Sequence, residues 1–344
     1  MQRNKAVLLH DKVTSIFLTG ISGFVGGNLA GKILSHSSQI YALVRKPIEY
    51  TDKAVKTVEG DILKPESFIS VMKKCEVIFH CAAYVSFQKK DFRKAYQVNV
   101  EGTRNILESA YQAGVKKVIH LSACSVLGYS NNNKEIIDES ANPVIEKGNV
   151  YAYTKKLAEK EVKKYVQKGL DVSIANIATV YGPGDKKMNS GSIIKAIYEN
   201  KIRFAPPGGT SYVTVNDLVD GLIVLAKKGK SGERYIFCNE NLTFLQLFNR
   251  ITKVLGRNEI RFKIPRWTYV PVVMAGCIKD SVIGSNDRKT NLATAQIIKE
   301  SYNYKYYSSQ KAKNELGWKP RSSLEEAVGG AFKYYRREGL ISDR

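Results

Sequence analysis

Tyr151 and Lys155 stand four residues apart in Tyr151-Ala152-Tyr153-Thr154-Lys155, a spacing that sets both side chains on one face of a helix. An ammonium beside a phenol stabilises the phenolate and draws the phenol pKa down from its reference near 10. The pair therefore reads as a proton relay in which Tyr151 is the general acid or base. Taken alone, such a spacing is more often a surface pair. Its weight comes from a second feature upstream, where the run SIFLTG leads directly into Gly20-Ile21-Ser22-Gly23-Phe24-Val25-Gly26. Glycines so spaced permit a tight turn, let backbone N–H groups approach a pyrophosphate and seat the next helix close to the strand. The N-terminus of that helix then faces an anion. Gly20, Ser22, Gly23, Phe24, Val25 and Gly26 are the expected dinucleotide-binding residues, the alternative being a plain surface loop.

The second strand ends at Val44-Arg45-Lys46, where a carboxylate would bond the ribose 2′-hydroxyl of NAD. No acid is there. Two cations suit a 2′-phosphate instead, because a guanidinium pairs with phosphate oxygens in bidentate fashion. Arg45 and Lys46 thus favour NADP(H) over NAD(H), unless they are merely solvated.

The elements that must position these groups alternate. VTSIFLTG, QIYALVR, CEVIFHCAA, KKVIHLSA and LDVSIANIATVYG are strand candidates, and helix candidates lie near 24–36, 65–74, 91–113 and 151–168. Such alternation predicts right-handed crossovers and a parallel sheet covered on both faces, a doubly wound α/β Rossmann fold. After Tyr181-Gly182-Pro183-Gly184-Asp185 the rhythm breaks into loops, with a helix at 191–200. The main sheet is expected to resume with SYVTVNDLVDGLIVLAKKG, a strand and a helix capped by Asn216, and with the strand GERYIFCN. The division expected is 1–180 plus about 208–242 for the dinucleotide, and about 181–207 plus 243–344 for a smaller, mostly helical substrate lobe.

At 43% hydrophobic and 25% charged residues, the chain is composed as an ordinary globular protein. Its five cysteines, Cys75, Cys81, Cys124, Cys238 and Cys277, form no C-x-x-C pair, so reduced thiols in a cytoplasmic protein are expected and no metal site. His80 and His120 end strand candidates and read as structural, hydrogen-bonded histidines. The N-terminal MQRNKAVLLHDKV fits neither a signal peptide nor an anchor. A formal net charge of +22 admits an anionic cofactor or an anionic membrane surface. Nucleic acid is disfavoured, because the lysines are scattered as pairs such as Lys116-Lys117 and Lys227-Lys228. Trp267 to Ile278, WTYVPVVMAGCI, is about half the length that crosses a bilayer. Burial in the small lobe is expected for it, with a wall for an apolar substrate or a peripheral membrane contact as alternatives.

With TGISGFVG, VEGDIL, HCAA, YQVNVEGTRNILESA, YAYTKKLAE, ANIATVYGPGD and SYVTVNDLVDG in place, the chain resembles the extended short-chain dehydrogenase/reductase (NAD-dependent epimerase/dehydratase) family over nearly its full length. Its likeness is to the dihydroflavonol-reductase-like, hopanoid-associated epimerase-like branch, whose closing helices KAKNELGWKPRSSLEEAVGGAFKYYRREGLI match. The resemblance implies that Asp61 and Ile62 flank the adenine, and that Ala82, Ala83, Ile177 and Val180 line the dinucleotide. It also implies that Asn99 holds a water-linked helix beside the relay, that Lys155 binds the nicotinamide ribose and that the protein is a homodimer through the helices near 91–113 and 151–168. Nucleotide-sugar relatives commonly carry Arg at the position of Asn176, and an Arg-Asp pair before SYVTVND. Neither is present, which argues against a sugar diphosphate.

The family usually offers two hydroxyl residues in a row after the fifth strand; here His120-Leu121-Ser122-Ala123-Cys124-Ser125 puts Ala123 at the second. Ser122 or Ser125 is left to supply that hydroxyl, with Ser125 preferred. The expected function is an NADP(H)-dependent oxidoreductase interconverting a ketone or aldehyde and an alcohol on a small, rather hydrophobic molecule. The alternatives are a sugar epimerase or dehydratase retaining NAD, and, prompted by Ala123, a dinucleotide-binding sensor or scaffold with little turnover.

Overall fold

The computed structural model describes residues 15–36, 39–48, 50, 52–282 and 295–342. The N-terminal reading therefore lies wholly outside the described residues, and Cys277 lies outside the described side chains.

Seven strands form one parallel sheet: β1 (Ile16–Thr19), β2 (Ile40–Val44), β3 (Val55–Glu59), β4 (Val77–His80), β5 (Lys117–Ala123), β6 (Val172–Ile177) and, much later in the chain, β10 (Arg234–Phe237). Their spatial order is β10-β6-β5-β4-β1-β2-β3. The direction of winding reverses between β1 and β4, which pair at Ile16↔Val77 and Thr19↔His80, and ligands of doubly wound sheets sit at that reversal. Central strands covered on both faces must be apolar throughout, and β1, β4 and β5 are buried at every position.

On one face α1 (Phe24–Ile33) lies beside the later helix α7 (Val215–Lys228), packing Leu29, Ile33, Leu218 and Leu222 onto Ile16 and Leu18. The other face carries α2 (Ile69–Met72), α3 (Phe92–Tyr96), α4 (Gly102–Gln112) and α5 (Val150–Gln167). There Ile106, Leu107 and Val162 pack onto Phe17, Ile78 and Val118. Each such fully buried side chain contributes roughly 1.5–3 kcal/mol of transfer free energy.

The second lobe has its own core, including Tyr181, Ile194, Leu247, Phe248, Val328 and Tyr335. It is built from β7 (Thr179–Tyr181), α6 (Gly191–Tyr198), β8 (Phe204–Ala205), β9 (Gly209–Thr214), β11 (Glu240–Thr243), α8 (Phe244–Val254), β12 (Phe262–Lys263), α9 (Tyr269–Val282), α10 (Ala295–Ser301), β13 (Tyr304–Lys305) and α11 (Leu324–Arg337). Thr243 with Gln246 and Ser323 with Glu326 close capping boxes at α8 and α11, each satisfying two orphan donors of the first turn.

Several expectations need correction. β3 is a strand absent from the candidates, because an edge strand reading Val55-Lys56-Thr57-Val58-Glu59 with a mostly exposed face carries little apolar signal. The strand in SYVTVND does not rejoin the main sheet: β9 pairs with β7, β11 and β13, and only β10 returns. The cap of α7 is Thr214, whose backbone is extended and whose Oγ1 accepts the Asp217 N–H; Asn216 lies inside the helix. Finally, Trp267, Val270 and Met274 are 79%, 60% and 59% exposed, so the apolar segment is not buried in the lobe.

Candidate active site

At the end of β1 the chain can turn only as glycine allows. Gly20 has φ +79°, and a Cβ there would lie 2.8 Å from the Ala82 nitrogen. A Cβ on Gly26 would lie 2.2 Å from the Gly20 oxygen, so α1 starts as close to the strand as backbone permits. Gly23 is the N-cap of α1 and offers no side-chain cap, leaving the first-turn N–H groups beyond it for an anion. Ser22 and Gly23 are exposed at the tip of the turn, with Phe24 and Val25 half-buried behind them. Asn28 Nδ2, one turn into α1, donates to the Pro183 carbonyl at 3.0 Å and so ties the turn to the loop after β7.

The remaining expected cofactor residues rim the same sheet end. Arg45 and Lys46 are exposed just past β2. Asp61 Oδ1 accepts the Leu63 N–H at 2.9 Å, and the Ile62 carbonyl accepts from Asn105 Nδ2 at 2.9 Å, fixing this corner against α4. Ala82 and Ala83 follow β4; Ile177 ends β6 and Val180 lies in β7, all half-buried. A glycine cradle and an uncapped helix start fit the pyrophosphate of a pyridine dinucleotide.

The relay lies on the first turns of α5, whose N-cap is Asn149. Tyr151 is covered edge-on by Phe87, ring centroids 6.2 Å apart. Lys155 is buried and its Nζ donates to the Leu121 carbonyl of β5. Burial pushes the Tyr151 phenol up to about 12. It brings the Lys155 ammonium down to about 8, against the opposing pull of Glu159 and Cys81. The expected acidification of the phenol is thus reversed here: desolvation outweighs the cation, which spends its hydrogen bond on Leu121. At neutral pH Tyr151 holds a proton to give, and Lys155 stays charged.

Asn99 sits in a π-helical turn, Gln97–Glu101, a wide turn often met at functional sites. Its Oδ1 accepts the Tyr84 N–H at 2.8 Å, and its Nδ2 donates to the Tyr84 carbonyl and to Thr154 Oγ1 on α5, both at 3.0 Å. Asn99 is therefore a positioning residue. A directed chain reaches it from the cofactor side. The Ala82 N–H donates to Thr19 Oγ1 (3.1 Å) and that hydroxyl to His80 Nδ1 (2.8 Å); His80 Nε2–H then donates to Thr103 Oγ1 (3.0 Å), which donates to the Asn99 carbonyl (2.7 Å). The tautomer follows from the donors on either side. Burial, aided by Lys155, lowers the His80 pKa to about 3, keeping the imidazole neutral. His80 is the structural histidine expected; His120 is not hydrogen-bonded, both its nitrogens being buried without a partner.

The two candidate serines part company. Ser122 Oγ donates to the buried Glu159 at 2.5 Å, turning away from the cleft, because alternate strand residues face opposite sides of the sheet. Ser125 lies in the short helical turn Cys124–Leu127 after β5, and its Oγ is buried with no partner. Of the pair, only Ser125 has a hydroxyl to offer. Glu159 also accepts from Asn176 Nδ2 at 2.8 Å and pairs with Arg234 of β10 at 2.7 Å. Asn176 is fully buried and its Nδ2 also reaches the Ala123 carbonyl, so this position serves an internal carboxylate. The argument from Asn176 against a sugar diphosphate consequently falls, and only the missing Arg-Asp pair remains of it.

Glu159, Arg234, Thr154, Thr19 and Thr103 escape the sequence reading. Glu159 had a signal, one turn beyond Lys155 on the same helical face; Arg234 had none, its partner lying 75 residues earlier in the chain. Among the described residues no three His, Cys, Asp or Glu side chains could hold a metal. Cys75, Cys81, Cys124 and Cys238 are free thiols, and no described helix is long and apolar enough to cross a membrane.

A parallel sheet wound outward from β1 and β4, a glycine cradle at that reversal and a Tyr-Lys pair facing it define a nicotinamide-dinucleotide oxidoreductase of the extended short-chain dehydrogenase/reductase type. The chain belongs to the NAD dependent epimerase/dehydratase family, whose model matches residues 16–238. It is 29% identical over 333 residues to a putative dihydroflavonol 4-reductase of Synechocystis sp., covering 94% of this chain and 95% of the relative. It is 28% identical to sterol demethylase protein B of Methylococcus capsulatus, covering 94% and 99%. The crystal structure of gox2253 is 28% identical, with a TM-score of 0.81 over 96% of this chain and all of its own.

Proposed function

We propose that the protein is an NADP(H)-dependent carbonyl reductase or alcohol dehydrogenase acting on a small, rather hydrophobic molecule. The observation that carries this reading is the half-buried Tyr151 phenol, packed edge-on by Phe87 and held protonated one helical turn from a charged Lys155. When bound, a reduced nicotinamide supplies the hydride to the carbonyl carbon. Tyr151 gives its proton to the carbonyl oxygen as the C=O π pair moves onto it, so that one alcohol forms. Ser125 donates a hydrogen bond to the same oxygen and steadies its growing charge. Lys155 holds the ribose and keeps positive potential beside the phenolate left on Tyr151. Asn99 fixes α5, and through it the direction of the phenol.

Arg45 and Lys46 would pair with a 2′-phosphate, and the absence of an acid at that strand end supports NADP(H) over NAD(H). Phe87, edge-on against the phenol, favours an apolar substrate. The likeness to a dihydroflavonol reductase and a sterol-processing protein supports the same class. The reading assigns the seven-stranded sheet and its covering helices to the dinucleotide and the second lobe to the substrate, so that of the expected 208–242 segment only α7 and β10 stay with the dinucleotide unit; it also has a homodimer through the helices near 91–113 and 151–168.

A panel of ketones and aldehydes is incubated with NADPH or NADH, and the absorbance of reduced nicotinamide is followed. Consumption of NADPH in preference to NADH, lost in Tyr151→Phe, is expected. Nucleotide binding without turnover of any carbonyl, or retention of the protein's biological effect in Tyr151→Phe, would favour a sensor.

A further inference from the structure

Ten large hydrophobic side chains are exposed among the described residues, and five of them gather on one stretch of the second lobe: Phe204, Phe262, Trp267, Val270 and Met274, at 54%, 66%, 79%, 60% and 59%. Phe204 and Phe262 face each other across the β8–β12 pair with ring centroids 6.5 Å apart. Trp267 follows in the turn that leads into α9, and 267, 270 and 274 fall on one helical face. That face is held outward by anchors behind it. Tyr269 packs on Tyr302 with centroids 5.3 Å apart, the Thr268 and Tyr302 hydroxyls bond at 2.7 Å, and Arg266 donates to Tyr304 OH and the Tyr302 carbonyl.

The run of chain that carries most of this surface has charges of one sign. From Arg261 to Gly276 there is no Asp or Glu. Arg261 and Lys263 flank Phe262, and Arg203 precedes Phe204, all exposed and without an ion pair among the described residues. A monomer seldom leaves so large an apolar patch in water without a use for it. A second copy fits poorly, since a self-contact would bring both sets of cations together. Aromatic and aliphatic side chains fringed by Arg and Lys match the boundary between acyl chains and anionic headgroups. We propose that this surface docks on an anionic lipid bilayer, with Trp267, Val270, Met274, Phe262 and Phe204 entering the interface and Arg203, Arg261 and Lys263 at the headgroups. The docking stands independently of the redox chemistry. Its consequence for substrate rests on the carbonyl-reductase reading: Arg266, in the turn that leads into α9, donates to the Asn131 carbonyl six residues after Ser125, so the surface adjoins the loop beside the cleft and an amphiphilic substrate would pass from lipid to it.

The full-length protein is sedimented with vesicles of phosphatidylcholine alone or of equal parts phosphatidylcholine and phosphatidylglycerol, without nucleotide or substrate. Strong, salt-sensitive binding to the anionic vesicles alone is expected. Trp267→Glu should weaken it ~10-fold or more, and Arg261→Ala or Lys263→Ala about fivefold each. Val144→Glu, at a 95% exposed position elsewhere, should change nothing. Circular dichroism and thermal melts verify that each variant is folded, and calorimetry reports NADPH affinity separately. Equal binding to both vesicle types, no binding, or indifference to Trp267→Glu would overturn the proposal. So would a wild-type oligomer that Trp267→Glu dissolves, since the patch would then join copies of the chain. Vesicle binding by a protein with no affinity for either nucleotide would refute the oxidoreductase reading and leave this one intact.

Discussion

One helix, α5, presents two regions with opposite polar economies. Its first turns face the cleft, where Ser125 Oγ lies buried and unpartnered and Tyr151 carries a proton that burial holds in place. Its third turn faces the closed interior, where Glu159 takes hydrogen bonds from Ser122 and Asn176 and the charge of Arg234. An unsatisfied buried hydroxyl costs stability, and the proposed function has the substrate oxygen satisfy the one on Ser125. On the other side a carboxylate whose Oε1 takes two hydrogen bonds and whose Oε2 faces the Arg234 guanidinium marks a fastening between β5, β6, β10 and α5. Substitutions on the cleft side should therefore change rates and leave unfolding alone, and those on the closed side should do the reverse.

The largest effects test the two ends directly. Tyr151→Phe should lower kcat by about 10²–10⁴, with NADPH affinity and unfolding midpoint near wild type, as read by steady-state kinetics, calorimetry and thermal melts. Glu159→Ala strands Arg234 in a buried site and should cost about 3–5 kcal/mol of stability, measured by urea unfolding. If Glu159→Ala instead left stability untouched and abolished turnover, the division along α5 would be wrong. The serines sharpen the same contrast with smaller effects. Ser125→Ala should reduce kcat about 10²–10³ with little change in stability. Ser122→Ala, which leaves Glu159 short of a donor, should cost about 1–3 kcal/mol while each folded molecule turns over normally. Reversed outcomes would put the substrate hydroxyl on Ser122.

These two regions were not equally legible in the sequence. The glycine turn, Tyr151 and Lys155 could be read because their spacing alone sets their geometry, along with the central strands, which are apolar throughout. Arg234 could not, since its partner is fixed by the register of β10 on β6, Arg234 opposite Ile174, a non-local match with no local mark. The same limit explains β9, whose apolar residues suit either sheet, and Thr214, which only the extended backbone at the end of β9 reveals as a cap. The direction of the Tyr151 shift was misread for a related reason. Spacing shows that a cation is near, but how far water is excluded depends on Phe87 and the loop that carries it.

The smallest effect to measure, and one that separates rate from stability along a single axis, is the alkaline response. Lys155 has been brought to about 8 in the folded protein from 10.5, while Tyr151 remains protonated until about 12. kcat/KM should then fall as pH rises through about 8, with the loss assigned to the ammonium. Stability should move the other way. Between about 8 and 10.5 the unfolded chain binds the Lys155 proton and the folded chain does not, so this group makes folding more favourable as pH rises there. His80 acts at the other end: its folded pKa lies near 3, below the ordinary 6.5, so its contribution is complete above pH 6.5 and is lost as pH falls toward 3. A kcat/KM profile measured beside unfolding free energies should thus show activity declining above pH 8 without a matching loss of Lys155-linked stability. If both fell together there, the ammonium would be holding the fold rather than serving the phenol.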